Sequence, residues 1–193
     1  MKVTKAQAQK NRARIVDTAA ALFRERGYDG VGIAELMAAA GFTHGGFYKH
    51  FRSKADLMAE AAASGISQRV ANSDGLDLAE FVTHYLSREH RDRRGAGCTM
   101  AALSGDAARQ SADIKATFAG GIESSLAAFK HEDAPVGDFD QNEVRAKMID
   151  TFAHAIGALV LSRACPDNSP LADEILEVCR TQILASLRPK EKS

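Results

Sequence analysis

Cysteine and long apolar runs are both scarce in this sequence, and each scarcity excludes a class of protein. The only cysteines are Cys98, Cys165 and Cys179, which are odd in number and too widely spaced for a disulfide framework or a zinc site. No stretch approaches the roughly 20 apolar residues of a membrane-spanning helix. The N-terminus lacks the charged, apolar and small-residue regions of a signal peptide. We therefore expect a soluble, cytoplasmic protein with no membrane partner.

The composition is that of a folded domain. The chain has 193 residues, of which 45% are hydrophobic and 26% are charged. It contains 4 prolines and 15 glycines, too few for a disordered or low-complexity segment. This length allows one large domain or two small ones.

Charge is distributed unevenly along the chain, although the net charge is zero. Residues 1–60 contain 10 Lys and Arg against 6 Asp and Glu, whereas residues 61–193 contain 15 against 19. A zero net charge taken alone argues against nucleic acid. A basic first third followed by an acidic remainder is nevertheless the pattern expected if only the N-terminal part meets phosphate.

Four helices are predicted in the first third of the chain. Residues 1–11 are polar and are expected to form a frayed arm, and apolar residues then recur at helical spacing over about 11–26 and 33–40. Thr43 is a candidate N-cap for a third helix ending near Phe51, and a fourth is expected over about 54–72. A tight glycine turn between the second and third helices is typical of a helix-turn-helix unit. Its predicted core is Ile15, Leu22, Phe23, Leu36, Phe42, Phe47, Phe51 and Leu57.

The stretch Gly41–Lys54 is basic and aromatic and has no Asp or Glu in 14 residues. We interpret it as a DNA-recognition helix together with the start of the helix that follows. At its N-terminal end Thr43 and His44 can reach base edges, and glycines allow close approach of the backbone. Further along, basic and hydroxyl side chains suit phosphate contacts. The predicted DNA-binding residues are Thr43, His44, Gly45, Gly46, Phe47, Tyr48, Lys49, His50 and Lys54, with Phe47 and Phe51 also anchoring the helix.

The run Ala40–Leu57 resembles the signature of the tetracycline-repressor (TetR) family of transcriptional regulators. The matching elements are Gly41, Gly45, the Tyr48-x-His50-Phe51 core, Lys54 and Leu57, and the helix ending at Gly27-Tyr28 matches the first helix of the family. The resemblance is specific over residues 12–60. It implies an all-α fold with a helix-turn-helix head and a larger helical body that binds an effector and dimerises.

We therefore expect two domains, a DNA-binding head at 1–53 and an effector-binding and dimerisation body at 54–193, with 54–72 as a connecting helix. Further helices are predicted at about 76–92, 98–109, 114–130, 141–165 and 171–187, and residues 131–138 are expected to form a loop. The last two would form an antiparallel hairpin that pairs with its copy in a homodimer. The small residues Ala155, Gly157 and Ala158 would permit close approach of the partner. The alternative is that both apolar stripes face the core of one subunit.

The predicted function is a ligand-responsive regulator, acting as a repressor that a small molecule releases from a near-palindromic double-stranded operator. The effector is unknown, and no cofactor or metal is expected. Candidate pocket residues are Phe81, Tyr85, Met100, Phe118, Met148 and Phe152, which at helical spacing could equally be plain core.

Two alternatives stay open. Cys98, near a helix N-terminus, could switch the same dimer by oxidation or reaction with an electrophile, or could be a small buried side chain. A small helical enzyme is the remote alternative, because no nucleophile–base pair or paired carboxylates are evident. We therefore predict that the chain is not an enzyme.

Overall fold

The computed structural model describes residues 4–73, 77–128 and 141–187. Every regular element in these ranges is helical, in agreement with the predicted all-α class. Two short 3-10 helices lie at His44–Lys49 and Arg94–Ala96. The α-helices are α1 Lys5–Arg26, α2 Ile33–Ala40, α3 Lys54–Ser73, α4 Leu78–Tyr85, α5 Arg88–Asp92, α6 Thr99–Ala107, α7 Ala112–Ala128, α8 Gln141–Ala164 and α9 Pro170–Leu187.

Helix α1 begins earlier than predicted, and the expected frayed arm over residues 1–11 is wrong from Lys5 onward. The Thr4 hydroxyl accepts a hydrogen bond of 3.2 Å from the Gln7 N–H, which satisfies one of the free donors at the helix start. Lysine and glutamine are good helix formers, so a capped start extends the helix across the polar segment. Gly27 ends α1 with a φ of 75°, a positive value that favours glycine.

The helix predicted at 76–92 is two helices, α4 and α5, because the chain turns at Leu86 and Ser87. The Leu86 N–H donates to the Val82 carbonyl at 3.0 Å. The Ser87 hydroxyl then accepts from the His90 N–H at 3.1 Å, which starts the new helix. The later helices lie close to their predicted positions, and the predicted loop at 131–138 lies outside the described residues.

The chain divides into two compact units, one of Met1–Arg69 with Arg94–Gly121 and the other of Val70–Arg93 with Ile122–Ser193. Helix α3 begins in the first unit and ends in the second. The first unit therefore contains more than the helix-turn-helix segment, since α6 packs on α1 within it. The functional boundary at residue 53 stays a prediction.

The core of the first unit contains all eight side chains predicted for it. Six are buried, and Leu22 and Phe42 are partly buried against the others. Residues from α6 and α7, including Leu103, Ile114 and Phe118, belong to the same cluster. Because a small domain gains stability with each apolar side chain that it buries, these helices enlarge a core that the first three alone would leave small.

Within the second unit, α8 and α9 pack together as the predicted hairpin. Ala155 and Ala158 are buried within the subunit, so the expectation that they open a path for a partner is wrong for these two. Small side chains let α8 approach its own neighbours closely. The apolar side chains left on the surface of this hairpin are Ile149, Val160, Leu161, Leu171 and Val178.

No helix in the described residues is long and apolar enough to cross a membrane.

Candidate nucleic-acid interface

The turn between α2 and the following segment is built on Gly41. Its φ of 83° and ψ of 29° lie in the left-handed region, where glycine avoids the clash that a Cβ would cause. The Gly41 N–H donates to the Ala38 carbonyl at 3.0 Å, and the Phe42 N–H donates to the Met37 carbonyl at 2.8 Å. These bonds use carbonyls at the end of α2 that would otherwise be unpaired, so the chain reverses sharply at the predicted position.

The third element is a 3-10 helix at His44–Lys49 rather than the predicted α-helix ending near Phe51. The Gly46 N–H donates to the Thr43 carbonyl at 2.9 Å, and the His50 N–H donates to the Phe47 carbonyl at 2.9 Å. Two glycines in so short a segment weaken the α-helix, and the tighter 3-10 bonding is common in such pieces. Thr43 occupies the predicted N-cap position, but its side chain makes no cap hydrogen bond.

Two phenylalanines attach the 3-10 helix to the core. Phe47 is 0% exposed and Phe51 is 3% exposed, and their ring centroids lie 5.5 Å apart. Phe47 was in the predicted DNA-binding set, but its burial leaves it the anchoring role alone. Because the 3-10 helix is too short to be stable by itself, this anchoring decides which of its faces meets solvent.

Arg12 supports the same segment from α1, a contact that the sequence reading missed. Its guanidinium lies 4.3 Å from the Phe51 ring centroid and donates to the His50 carbonyl at 2.6 Å. It also pairs with the carboxylate of Glu60 on α3. No local pattern marks Arg12 for this role, because its partner carbonyl is 38 residues away in sequence.

The outer face of the segment carries the predicted contact residues. Tyr48 is 65% exposed, an unusual value for so large an aromatic side chain. Thr43, His44, Gly45 and Lys49 are exposed as well, while Gly46 and His50 are half-buried. The His44 and Tyr48 rings meet edge to face with centroids 6.5 Å apart. The structure thus exposes a hydroxyl, a phenol, an imidazole and an ammonium on a segment that has no acidic residues.

Neither backbone conformation nor packing requires glycine at Gly45 and Gly46. Neither has a positive φ, since among described residues only Gly27 and Gly41 do. A Cβ at Gly45 would meet nothing within 4 Å, and one at Gly46 would make ordinary contacts with Met37 and Thr43. Their small size therefore leaves open backbone on the exposed face.

The residues at the start of α3 have other partners. The Ser53 hydroxyl accepts from the Asp56 N–H at 3.1 Å, which makes Ser53 the helix cap. The exposed Arg52 pairs with Asp56 at 3.2 Å. The Lys54 side chain is half-buried, and its ammonium donates a hydrogen bond to the Tyr28 carbonyl at 2.5 Å.

Comparison with known proteins identifies this part of the chain. Residues 15–61 match the model of the tetR family of bacterial regulatory proteins. This part of the chain is a tetR-family domain. The stretch is 42% identical over 57 residues to the HTH-type transcriptional regulator AcrR of Shigella flexneri. It is 40% identical over 55 residues to TtgR of Pseudomonas putida, a regulator of the same named type. The predicted resemblance to the TetR family is thus confirmed.

These matches are confined to the N-terminal tetR-family domain and span 26% of the length of each curated relative. Whole-chain similarity is seen in fold. The reduced form of Escherichia coli NemR superposes with a TM-score of 0.68 at 20% identity, over 90% of this chain and 95% of that one. A TetR-family regulator from Cytophaga hutchinsonii gives 0.69 at 18% identity, over 99% and 100% of the two chains. The helical body thus has the fold that accompanies this domain in solved structures.

The candidate pocket residues do not all lie in one compact unit. Of the candidate pocket residues, Met100 and Phe118 lie in the first compact unit and the remaining four in the second. The Phe81 and Tyr85 rings stack with centroids 5.5 Å apart. The described residues contain no group of three or more His, Cys, Asp or Glu side chains that could hold a metal ion. The pocket stays a prediction.

Proposed function

We propose that this protein is a DNA-binding transcriptional regulator that uses the exposed face of residues 43–50 to read double-stranded DNA. The carrying observation is that Phe47 is fully buried while Tyr48 beside it is 65% exposed. This alternation supports a role in which the segment is anchored by one side and presents hydroxyl, imidazole and ammonium groups on the other. The tetR-family match over the same residues supports the same role.

The contacts divide by chemistry. Thr43 and His44, at the start of the 3-10 helix, would meet base edges in the major groove, because the N-terminal end of a recognition helix enters first. Tyr48, Lys49 and His50 would bind phosphates, which position the protein without reading sequence. Open backbone at Gly45 and Gly46 would allow the segment to approach the groove wall.

We further propose that two copies act together on a near-palindromic operator. The five large apolar side chains exposed on the α8–α9 hairpin support a homodimer through these helices, since exposed apolar surface that collects on one part of a protein marks an interaction site. Two heads would then contact successive major grooves roughly 34–36 Å apart. A small molecule that binds the body and prefers the form with misplaced heads would release a repressor from the operator.

Selection of duplexes from a randomised pool by the wild-type protein tests the proposal. We expect an enriched two-fold symmetric site that binds about a thousandfold or more tighter than a scrambled duplex. Thr43→Ala with His44→Ala should reduce this ratio, whereas Lys49→Met should weaken binding to both duplexes alike. Failure to enrich any site would contradict the proposal.

Oxidation at Cys98 is the second candidate for the switch. Cys98 occupies the position before α6, and it is close enough to Arg24 to oppose, with Glu25 and Asp17, the lowering of the Arg24 pKa that burial causes. The thiol is only 6% exposed, however, which gives an oxidant poor access. A response to diamide that is unchanged in Cys98→Ser would remove this candidate.

A further inference from the structure

We propose that Asp106 and Lys54 are positioning residues for DNA binding, which together hold the backbone of Tyr28 at the corner between α1 and α2. This inference rests on the proposed DNA-binding function and deepens it. It gives Lys54 a role different from the phosphate contact predicted from the sequence. It also assigns a role in DNA recognition to a residue of α6, far outside the matched tetR-family segment at 15–61.

Both backbone groups of Tyr28 are taken by charged side chains from other helices. The Tyr28 N–H donates to the Asp106 carboxylate at 3.0 Å, and the Tyr28 carbonyl accepts from the Lys54 ammonium at 2.5 Å. Tyr28 itself is 0% exposed and packs edge to face on Phe23, with ring centroids 5.1 Å apart. The corner is thus fixed by two charge-assisted hydrogen bonds at a buried residue, which are stronger than neutral ones.

Each charged group lies at a helix end that disfavours its sign. Lys54 is the first residue of α3, where the helix dipole repels a cation, and Asp106 lies in the last turn of α6, where it repels an anion. The ammonium reaches instead to a carbonyl just beyond the C-terminus of α1, where a cation is favoured. Hydrogen bonding to the backbone of Tyr28 gives a physical reason for placing each charged residue at a helix end that disfavours its charge.

Two further contacts link the C-terminal end of α1 to the residues around α6. A Cβ at Gly27 would lie 2.7 Å from an Asp106 carboxylate oxygen, so any larger residue there would displace this carboxylate. A second bond ties the same end of α1 to the segment before α6, because the Arg24 guanidinium donates to the Gly95 carbonyl at 2.8 Å. The α1–α2 corner is therefore held from α3 on one side and from the residues around α6 on the other.

The corner matters for recognition because α2 and the 3-10 helix follow directly from it. The turn at Gly41 is closed by its own hydrogen bonds. A shift of the Tyr28 corner would therefore carry α2 and residues 43–50 with it, and the exposed face would move relative to α1. Lys54, whose ammonium is used internally, would then affect DNA affinity without neutralising a phosphate.

The salt dependence of binding separates these two roles for Lys54. With a duplex selected by the wild-type protein, Lys54→Met should weaken binding about tenfold and leave the slope of log affinity against log salt unchanged. Lys49→Met, a matched loss of one cation from the exposed face, should lower that slope by about 1 for each subunit. A fall of the slope by the same amount in Lys54→Met would overturn the inference for this residue.

The role of Asp106 is tested by amide hydrogen exchange in the free protein and by the affinity of the protein for DNA. Asp106→Ala should make the Tyr28 amide exchange at least about tenfold faster in the free protein and weaken the selected duplex about tenfold. Asp106→Asn keeps an acceptor oxygen and should restore both. Arg109→Ala, which removes the exposed partner of Asp106 at 2.7 Å, should leave both near the wild-type values.

Unchanged exchange of the Tyr28 amide in a folded Asp106→Ala protein would overturn the inference, as would unchanged DNA affinity. If Asp106→Ala does not fold, the affinity and salt slope of Lys54→Met decide. If the protein selects no duplex, both the proposed function and the positioning role are contradicted. If it selects a duplex and these variants bind it with unaltered affinity, only the positioning role is contradicted.

Discussion

At the scale of single residues, the second compact unit contains a buried arginine that the local charge pattern does not predict. Arg91 lies in the charge run 88–94, a pattern typical of a solvated, salt-bridged helix end, yet it is 1% exposed. Its guanidinium donates to the Ser162 hydroxyl at 3.0 Å and to the Ser162 carbonyl at 3.2 Å, and pairs with Asp92 at 2.6 Å. A cation at the C-terminal end of α8 is favoured by the helix dipole and satisfies carbonyls that have no partner within the helix.

Arg91→Met should therefore destabilise the protein by about 3 kcal/mol, because it leaves these buried acceptors unpaired. For a chain of this size the loss corresponds to a fall in Tm of roughly 6–12 °C. Thermal unfolding followed by circular dichroism measures it. Arg93→Met removes a neighbouring arginine that is 67% exposed and pairs only with Glu89 in the described residues, and should change Tm little. Equal effects of the two variants would show that the Arg91 network contributes nothing.

His90 in the same run is also buried, at 5% exposed, whereas the remaining five residues are exposed as the charge pattern suggests. Arg88 pairs with Asp173 at 2.7 Å, and hydrogen bonding and charge from that carboxylate raise the pKa of Arg88. Local charge pattern therefore predicts that a helix end is salt-bridged. It does not predict which one of several similar arginines faces the interior, because that depends on where α8 ends in three dimensions.

At the scale of elements, helix positions follow from apolar spacing with errors where capping or glycine decides. The predicted range of α8 ends one residue from the observed Ala164, since long amphipathic helices have a strong period. Thr4 extends α1 and Ser87 divides α4 from α5, and both effects depend on single cap bonds. The 3-10 helix differs in type because two glycines remove the preference for α-helical geometry.

A substitution in the 3-10 helix separates the effect of a glycine on stability from its effect on DNA binding. Gly45→Ala should leave Tm unchanged or slightly higher, since a Cβ there meets nothing within 4 Å and φ is not positive. The same methyl should weaken DNA binding if the backbone approaches the groove wall. Gly105→Ala, also with nothing within 4 Å and lying inside α6, should stabilise by about 0.5–1 kcal/mol and leave DNA binding intact. Wild-type affinity in Gly45→Ala would show that the glycine is not needed for approach.

The residues of the candidate interface could be found from sequence, but their support could not. An acid-free basic stretch with a glycine turn predicts which residues lie on the exposed face, and Thr43, His44, Tyr48 and Lys49 do lie there. Their anchoring by Arg12 and the bonds at Tyr28 join residues 26 to 78 positions apart. No local period carries such information.

At the scale of the whole molecule, the homodimer is predicted to use the exposed apolar side chains of α8 and α9. Leu161 is 60% exposed, and burial of such a side chain at an interface contributes roughly 1.5–3 kcal/mol in each subunit. Leu161→Glu should therefore shift the protein towards monomer in sedimentation velocity. Ala116→Glu places the same charge at an exposed position of α7, outside the α8–α9 hairpin, and should leave the dimer intact. A Leu161→Glu protein that sediments as wild type would place the interface elsewhere.

The same hairpin shows what sequence could not separate in the body. Its apolar stripe was compatible with a subunit core or with a partner, and the structure uses Ala155, Ala158 and Leu159 for the subunit core while leaving Leu161 and Val178 outside. Apolar residues recur every 3.6 residues whether the helix face packs on the core of its own subunit or on a partner. The division between them depends on how α8 and α9 are rotated about their axes.

The most direct test of the central claim is the salt dependence of DNA affinity, measured by fluorescence anisotropy on the selected duplex. We predict that affinity falls steeply and linearly on logarithmic axes, with a slope set by several phosphate contacts in each subunit. Changing Tyr48 and Lys49 together to alanine should weaken binding and reduce the slope by about 1 for each subunit, while Tm stays near the wild-type value because both side chains are exposed. An affinity that hardly responds to salt, or a double variant that binds as wild type does, would contradict the assignment of this face to DNA.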